Sequence, residues 1–212
     1  MPELDEAAHA KYLETISQKL GPVEELSYES IGPSIGSDLR RKSIYAFFFV
    51  LLSISLYIAF AFRKVSMPVK SWKYGLITLV TLFHDALIPA GFLSFMGWYS
   101  GLEVGTNFVV ALLVIMGFSV HDTIVVFDRI RENLKLEKNY NFNFAHLVNK
   151  SVNETIARSI NTSLTLVLVL LALFLLGSVS LQYFVLTILL GTVIGAYSSI
   201  FIASPLLVLW SR

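Results

Sequence analysis

The chain contains no cysteine, which excludes disulfide bonds, thiolate zinc sites and cysteine nucleophiles. Charge is also scarce, because Asp, Glu, Lys and Arg make up only 15% of the 212 residues, against about 25% in soluble domains. The net charge of +1 gives no reason to expect a nucleic-acid or acidic partner. The sequence also has no phosphate-binding glycine loop and no Gly-x-Ser-x-Gly nucleophile motif. We therefore expect neither an enzyme nor a cofactor.

What the chain does have is apolar sequence: 55% of its residues are hydrophobic, and its mean hydropathy is +0.69. Crossing a bilayer takes roughly 20 apolar residues of helix. Five stretches meet this requirement, at residues 43–62, 72–95, 106–127, 156–176 and 181–210. The pattern predicts an all-α integral membrane protein with a five-helix transmembrane bundle over residues 37–212. None of the stretches has the position of a cleavable signal peptide.

Basic residues in short connections favour the cytoplasmic side of a membrane. Two predicted connections carry them: Arg63, Lys64, Lys70 and Lys73 in the first, and Arg129, Arg131, Lys135, Lys138 and Lys150 in the third. Residues 97–105 and 177–180 contain none. We therefore expect the amino-terminal segment outside and the carboxyl terminus in the cytoplasm. The basic residues 40–42 lie on the expected outer side and favour the opposite orientation.

Residues 1–36 are polar and form a separate external segment. The pattern predicts a helix over residues 5–20, ended by Gly21 and Pro22, then a strand over residues 23–31 and a turn at residues 32–33. One helix and one strand cannot bury a core alone. The segment is therefore expected to be the end of a larger external α+β domain or to dock on a partner.

Asp122 lies about fifteen residues into the third predicted helix and is followed by the apolar residues 124–127. Inserting a charged side chain at such a depth costs about 2.5–3.5 kcal/mol, so a functional role is the first hypothesis. The alternative is that Asp122 belongs to the charged cytoplasmic end of the helix. The charges of that end are Asp128, Arg129, Arg131 and Glu132, whose spacing predicts ion pairs on a solvated helix end.

Arg158, near the start of the fourth predicted helix, is the natural counter-charge for Asp122. Asn161, Thr162 and Thr165 follow at spacings that place them on the same helix face, which predicts a polar face pointing into the bundle. Burial favours a neutral carboxyl group, whereas a nearby cation favours the carboxylate, so such a pair could load and release protons. Alternatively, the Arg158 side chain extends to the lipid headgroups.

Two His-Asp pairs occur at bilayer depth: His84 with Asp85, and His121 with Asp122. Asp85 is either a second relay group or a buried acid bonded to hydroxyl groups, for which the candidates are Thr78, Thr81 and Ser94. Pro89 and Gly91 follow it and could kink its helix. Adjacent helical residues diverge by about 100°, so each pair points one side chain at a given centre. We therefore expect no metal site.

Small residues recur every four positions in the last predicted helix, at Gly191, Gly195 and Ser199. This spacing lets membrane helices approach closely. The pattern predicts helix packing and carries no chemistry.

The motif GFSVHDTIVVFDRIREN, residues 117–133, resembles the signature of the SecF family of the bacterial protein-export machinery, which is related to the RND transporter superfamily. Further matches are IGPSIG at residues 31–36, the charged residues 38–42, His84-Asp85, Glu103 and Arg158. They occur in the family's order over residues 23–205. One departure is His121, where the family usually has asparagine.

The resemblance implies a subunit that pairs with SecD in the bacterial inner membrane. In that family the complex uses the proton-motive force to help unfolded polypeptide through the SecYEG channel. The family's membrane acid falls on Asp122 and its essential arginine on Arg158, while His121 could tune or share the proton. The family also has an earlier membrane helix and a ferredoxin-like external domain, of which residues 1–36 match only the end. The amino-terminal half is therefore expected to be missing.

Three alternatives remain open at this stage. The chain could be a non-conducting scaffold that completes SecD, or an RND-type exporter of small molecules. A more distant possibility is an intramembrane aspartyl protease with Asp85 and Asp122 as a dyad. That arrangement requires two acids sharing a proton, which a neighbouring Arg158 would oppose.

Overall fold

The computed structural model describes residues 6–23, 33–63, 68–100, 107–137, 142–178 and 181–211. Its helices are α1 (Glu6–Leu20), α2 (Pro33–Ala61), α3 (Ser71–Ser100), α4 (Asn107–Leu136), α5 (Phe144–Leu176), α6 (Gln182–Ser198), a π-helical segment (Ser199–Ala203) and α7 (Ser204–Leu209). The described residues contain no strand. Five helical spans are long and apolar enough to cross a membrane, which confirms the all-α, five-span prediction.

The chain divides into two compact units, Met1–Ile44 and Tyr45–Arg212. In the first unit, the predicted amino-terminal helix is observed as α1, and Gly21 ends it with a φ of +93°. A side chain rarely adopts that conformation, so glycine suits the position. The predicted strand at residues 23–31 falls almost entirely outside the described residues. The turn predicted at residues 32–33 is only partly described, and Pro33 is already the first residue of α2, where its fixed φ suits a helix start.

The four helices α2 to α5 are longer than the apolar stretches that predicted them, and α4 and α5 illustrate the difference. The third predicted span ended at residue 127, whereas α4 continues to Leu136, and the fourth began at residue 156, whereas α5 starts at Phe144. Hydropathy marks the part of a helix that suits lipid, but the backbone hydrogen bonds continue where polar side chains satisfy the helix end. The Asn143 side chain does so by accepting from the backbone N–H of His146 at 3.2 Å.

The charged end of α4 is held by ion pairs. Arg131 pairs with Asp128, and Arg129 lies 2.6 Å from Glu132, both at the predicted three-residue spacing. Arg129 Nε also donates to Glu154 of α5 at 2.7 Å, and Asn133 donates to the same carboxylate at 2.9 Å. The ion pairing predicted for this end is confirmed, and the bridge to α5 is an addition from the tertiary structure.

In the second unit, α4 packs against α3, α5 and α6. Beside the carboxyl-terminal half of α4, Phe62 stacks on Tyr74 with ring centroids 5.1 Å apart, and Phe127 meets both rings edge-on. Such aromatic pairs contribute about 0.5–1.5 kcal/mol each. They attach the end of α2 to α3 and α4.

A close helix contact joins α6 to α4. A Cβ atom added at Gly191 would overlap the Ile115 side chain, and one at Gly195 would lie 3.1 Å from the Ser119 Cβ atom. Lipid tails are as apolar as the helices, so close packing rather than water exclusion holds membrane helices together. Ser199, the third member of the predicted pattern, is buried and begins the π-helical segment.

We expect Gly191→Ala to lower the unfolding temperature of the detergent-solubilised protein, because overpacking typically costs about 1–3 kcal/mol. Gly91→Ala is the matched control, since a Cβ atom there meets nothing within 4 Å and alanine favours helix. Thermal unfolding followed by circular dichroism measures both. Equal unfolding temperatures for the two variants would contradict this packing.

Candidate functional site

Asp122 lies near the middle of α4 and is only 7% exposed. Its Oδ2 accepts a hydrogen bond from Ser163 Oγ of α5 at 3.1 Å. His121 Nδ1 lies 3.7 Å from Oδ1, beyond hydrogen-bonding distance, and the His121 side chain is mostly exposed. A single hydroxyl group is therefore the only hydrogen-bond donor that the described residues provide to this buried carboxyl group.

Asp122 faces a groove, which we define by its lining residues on α4, α5 and α6. The groove has a volume of about 510 Å³ and is lined by Val114, Gly117, Phe118, Ser119, His121, Asp122, Thr162, Ser163, Leu166, Thr192, Gly195 and Ala196. Its walls are mostly apolar. The polar side chains among them are Ser119, His121, Asp122, Thr162, Ser163 and Thr192. A volume of this size has room for several waters, each occupying about 30 Å³ in the liquid.

The predicted polar face of α5 lies mostly outside the bundle, and of its members only Thr162 lines the groove. Arg158, Asn161, Thr162 and Thr165 are all exposed on this chain, and among the described residues no ion pair joins Arg158 to Asp122. The inward direction was predicted because polar side chains avoid lipid. A second protein chain packed against α5 can shield these side chains from lipid as well as this chain can. The role of Arg158 in handling protons stays a prediction.

The inward face of α5 is instead a row of hydroxyl groups that the sequence analysis missed. Its members recur every four residues: Ser151, Thr155, Ser159 and Ser163. Ser151 accepts from Asn133, and Ser163 donates to Asp122, so both ends of the row meet α4. Ser159, one turn before Ser163, is buried and has no hydrogen-bond partner among the described residues. The four-residue spacing was the available signal.

Asp85 of α3 is fully buried and has three partners. Its Oδ2 accepts from Ser119 of α4 and from Ser198 of α6, the latter at 2.6 Å, and its Oδ1 lies 2.8 Å from His84 Nδ1. The threonines expected to bond Asp85 do not do so. Thr78 and Thr81 donate to backbone carbonyls of their own helix, which are the nearest acceptors for a helical hydroxyl group.

Ser94, the third candidate partner of Asp85, is exposed. The structure also describes no hydrogen bond between Asp85 and Asp122, because each carboxyl group binds hydroxyl groups of a different helix. The shared-proton dyad of an aspartyl protease is therefore not present in the described residues. In the same residues no group of three His, Asp or Glu side chains could hold a metal ion.

Comparison with known proteins matches this chain to a protein family. Residues 12–212 match the family model described as protein export membrane protein SecD/SecF, C-terminal. A protein translocase subunit SecF from Thermobaculum terrenum is 45% identical over 100% of this chain and 66% of its own length. One from Synechocystis sp. is 40% identical over 89% of this chain and 57% of its own length. The chain thus spans about two thirds or less of these relatives.

Two further matches are named SecDF, a name that combines SecD and SecF. A protein translocase subunit SecDF from Thermus thermophilus is 42% identical over 88% of this chain and 24% of its own length. The solved structure titled "Crystal structure of SecDF in Super-membrane-facing form" matches with a TM-score of 0.77 at 39% identity, over 99% of this chain and 27% of that one. Five membrane-spanning helices and these relatives make this chain a multi-pass membrane protein.

We expect a hydrophobic carbodiimide to modify Asp122 but not Asp85. Such reagents attack protonated carboxyl groups within membranes, and only Asp122 lines the groove, whereas Asp85 has no exposed surface. Mass spectrometry of the labelled protein measures both sites at once, and Asp122→Asn should remove the label. Labelling of Asp85 at the same rate would contradict the enclosure described here.

Proposed function

Because this chain belongs to the SecD/SecF family of protein-export membrane proteins, we propose that it is a subunit that uses the proton-motive force to promote protein export. It works with a SecD subunit beside the SecYEG channel and acts on unfolded polypeptide. The observation that carries this proposal is Asp122, a carboxyl group buried at mid-helix yet open to the groove. A charge at bilayer depth is costly and marks an ion path by default.

The environment of Asp122 suits reversible protonation. Its single donor, Ser163, can rotate its hydroxyl group toward or away from the carboxyl oxygen, so the site does not hold the charged form rigidly. Water in the groove can bring a proton to Oδ1 or remove one. Moving one charge through 100 mV supplies about 2.3 kcal/mol, which is enough to shift a balance between two helix packings.

The exposed polar face of α5 supports SecD as the partner. Arg158 and its neighbours Asn161, Thr162 and Thr165 lie on a membrane-spanning helix but are not covered by this chain. The two threonine hydroxyl groups bond backbone carbonyl oxygens of their own helix, but the Arg158 charge would be costly if it faced lipid. We infer that the SecD subunit covers this face and brings Arg158 into the proton path. The Thermus relative, a single SecDF chain, supports this pairing.

The basic connections support an orientation with the amino-terminal segment outside and the carboxyl terminus in the cytoplasm of a bacterial cell membrane. The basic residues 40–42 are the exception, against four basic residues in the first connection and five in the third.

We expect Asp122→Asn to abolish the stimulation of export by an imposed proton gradient and to leave gradient-independent export intact. Asparagine keeps the size and polarity of the side chain but cannot take up a proton. The measurement is uptake of a secreted precursor by sealed inverted vesicles containing this subunit, SecD and SecYEG. Asp128→Asn is the control, because it makes the same change at an exposed position of the same helix.

Full stimulation in the Asp122→Asn vesicles would replace this proposal with a scaffold role. Loss of stimulation from Asp128→Asn as well would indicate damage to α4 rather than to a proton site. Efflux of small hydrophobic compounds, with no effect of either variant on export, would favour an RND-type exporter instead.

The absence of native cysteine allows a direct test of the SecD face. We expect Thr165→Cys on α5 to form oxidative cross-links with cysteines placed along the membrane helices of SecD. Leu56→Cys, on the exposed face of α2, should form none. The products are measured by mobility on denaturing gels, and an assembled complex in which only Leu56→Cys reacts would contradict the assignment.

A further inference from the structure

The Asp85 cluster, which we define as Asp85, His84, Ser119 and Ser198, is a second site at bilayer depth. Its carboxyl group is fully enclosed, whereas His84 is partly exposed. Ser119 belongs to both the Asp85 cluster and the groove, because it donates to Asp85 and also lines the groove that Asp122 faces. One hydroxyl group therefore separates the buried acid from the groove.

We propose that Asp85 is a second proton-binding carboxyl group, connected to the groove by Ser119 and to the surface of α3 by His84. This inference rests on the proposed function, since a second proton site has a purpose only where protons move. It assigns Ser119 the role of relay and Ser198 the role of support.

The transfer through Ser119 balances without any other reactant. A hydronium ion in the groove gives a proton to Ser119 Oγ, while the original Ser119 proton passes to Asp85 Oδ2. Water is left in the groove, Ser119 is again a neutral hydroxyl group, and Asp85 is a neutral acid. Release follows the same steps in reverse. Alternatively, a half-turn of the Asp85 carboxyl group exchanges its two oxygens, and the protonated oxygen then gives its proton to a neutral His84 Nδ1, which lies 2.8 Å from the oxygen facing it.

The cluster can keep its hydrogen bonds in both protonation states. With Asp85 ionised, Ser119 and Ser198 both donate to Oδ2. With Oδ2 protonated, one hydroxyl group must accept instead and needs another acceptor for its own proton. Ser198 has one, because the Gly195 carbonyl oxygen lies 3.2 Å from its Oγ. Leaving a buried donor without an acceptor costs about 1–3 kcal/mol, and this second acceptor avoids that penalty.

Two helix irregularities adjoin the cluster. Pro89 lies inside α3 and has no N–H group for the carbonyl of Asp85, four residues earlier. On α6, the π-helical segment begins at Ser199, directly after Ser198. Segments of this kind occur often at functional sites. On two of the three helices of the cluster, α3 and α6, the backbone hydrogen bonding thus departs from that of a regular α-helix near Asp85 or Ser198.

Among the described residues, the helices around Asp85 carry few other ionisable side chains that could take up its proton. The α6 helix and the Tyr45–Ala61 part of α2 contain no acidic, basic or histidine residue, and α4 contributes only His121 and Asp122 within its apolar part. Arg158 of α5 is exposed. Tyrosines occur on these helices, but a phenol ordinarily loses its proton only near pH 10.

Ser119→Ala and Ser204→Ala form a matched pair, since each removes one buried hydroxyl group from the membrane helices. Only Ser119 bonds Asp85 and lines the groove, whereas Ser204 donates to the Ser199 carbonyl oxygen. We expect Ser119→Ala to slow gradient-driven proton uptake about tenfold or more, in line with the loss of a proton-transfer group, and Ser204→Ala to change it less than about twofold. The measurement uses the complex with SecD in vesicles containing a pH-sensitive dye.

Equal rates for the two serine variants would overturn the relay role of Ser119. Infrared difference spectroscopy provides a second test that does not depend on either variant. In the Asp122→Asn complex, a pH-dependent carboxyl C=O band should persist and then disappear when Asp85→Asn is added. If no such band is present, Asp85 does not bind a proton.

The two proposals fail in different ways. If Asp122→Asn leaves gradient-stimulated export unchanged, the proposed function fails whatever the spectrum shows. If Asp122→Asn abolishes the stimulation while the serine variants behave alike and the second band is absent, only the Asp85 site fails.

Discussion

The close contact between α4 and α6 is the constraint on which the rest of the second unit depends. Gly191 and Gly195 remove the side chains that would separate the two helices, so Ile115 and Ser119 lie directly against the α6 backbone. Three residues after Gly195, Ser198 then reaches Asp85 on α3. One stripe of small residues therefore brings three helices together around a buried carboxyl group.

The two acids occupy different environments although both follow a histidine in sequence. Asp85 has three partners and no exposed surface, and Asp122 has one hydroxyl donor and an open groove. The difference arises from the helices that face them. Asp85 points toward the tight contact with α4 and α6, whereas Asp122 bonds Ser163 of the serine row of α5 and lines the groove.

The α5 helix separates two kinds of polar group. Its serine row faces inward and forms hydrogen bonds with residues of α4, whereas its Arg158 face is exposed on this chain. An arginine side chain that faces lipid is costly, so this face suits the partner subunit proposed above.

The sequence by itself determined the class, the five spans, the family and the residues that stand out at bilayer depth, because hydropathy and charge are local properties of the chain. It also predicted the ion pairs at the end of α4, which need only helical spacing. Only the tertiary structure decided which hydroxyl groups bind Asp85, since Ser119 and Ser198 lie 34 and 113 residues away in sequence. It also decided that Ser163 rather than Arg158 meets Asp122. Spacing identifies residues that share a helix face, but the direction of that face depends on how the helices rotate against one another during packing.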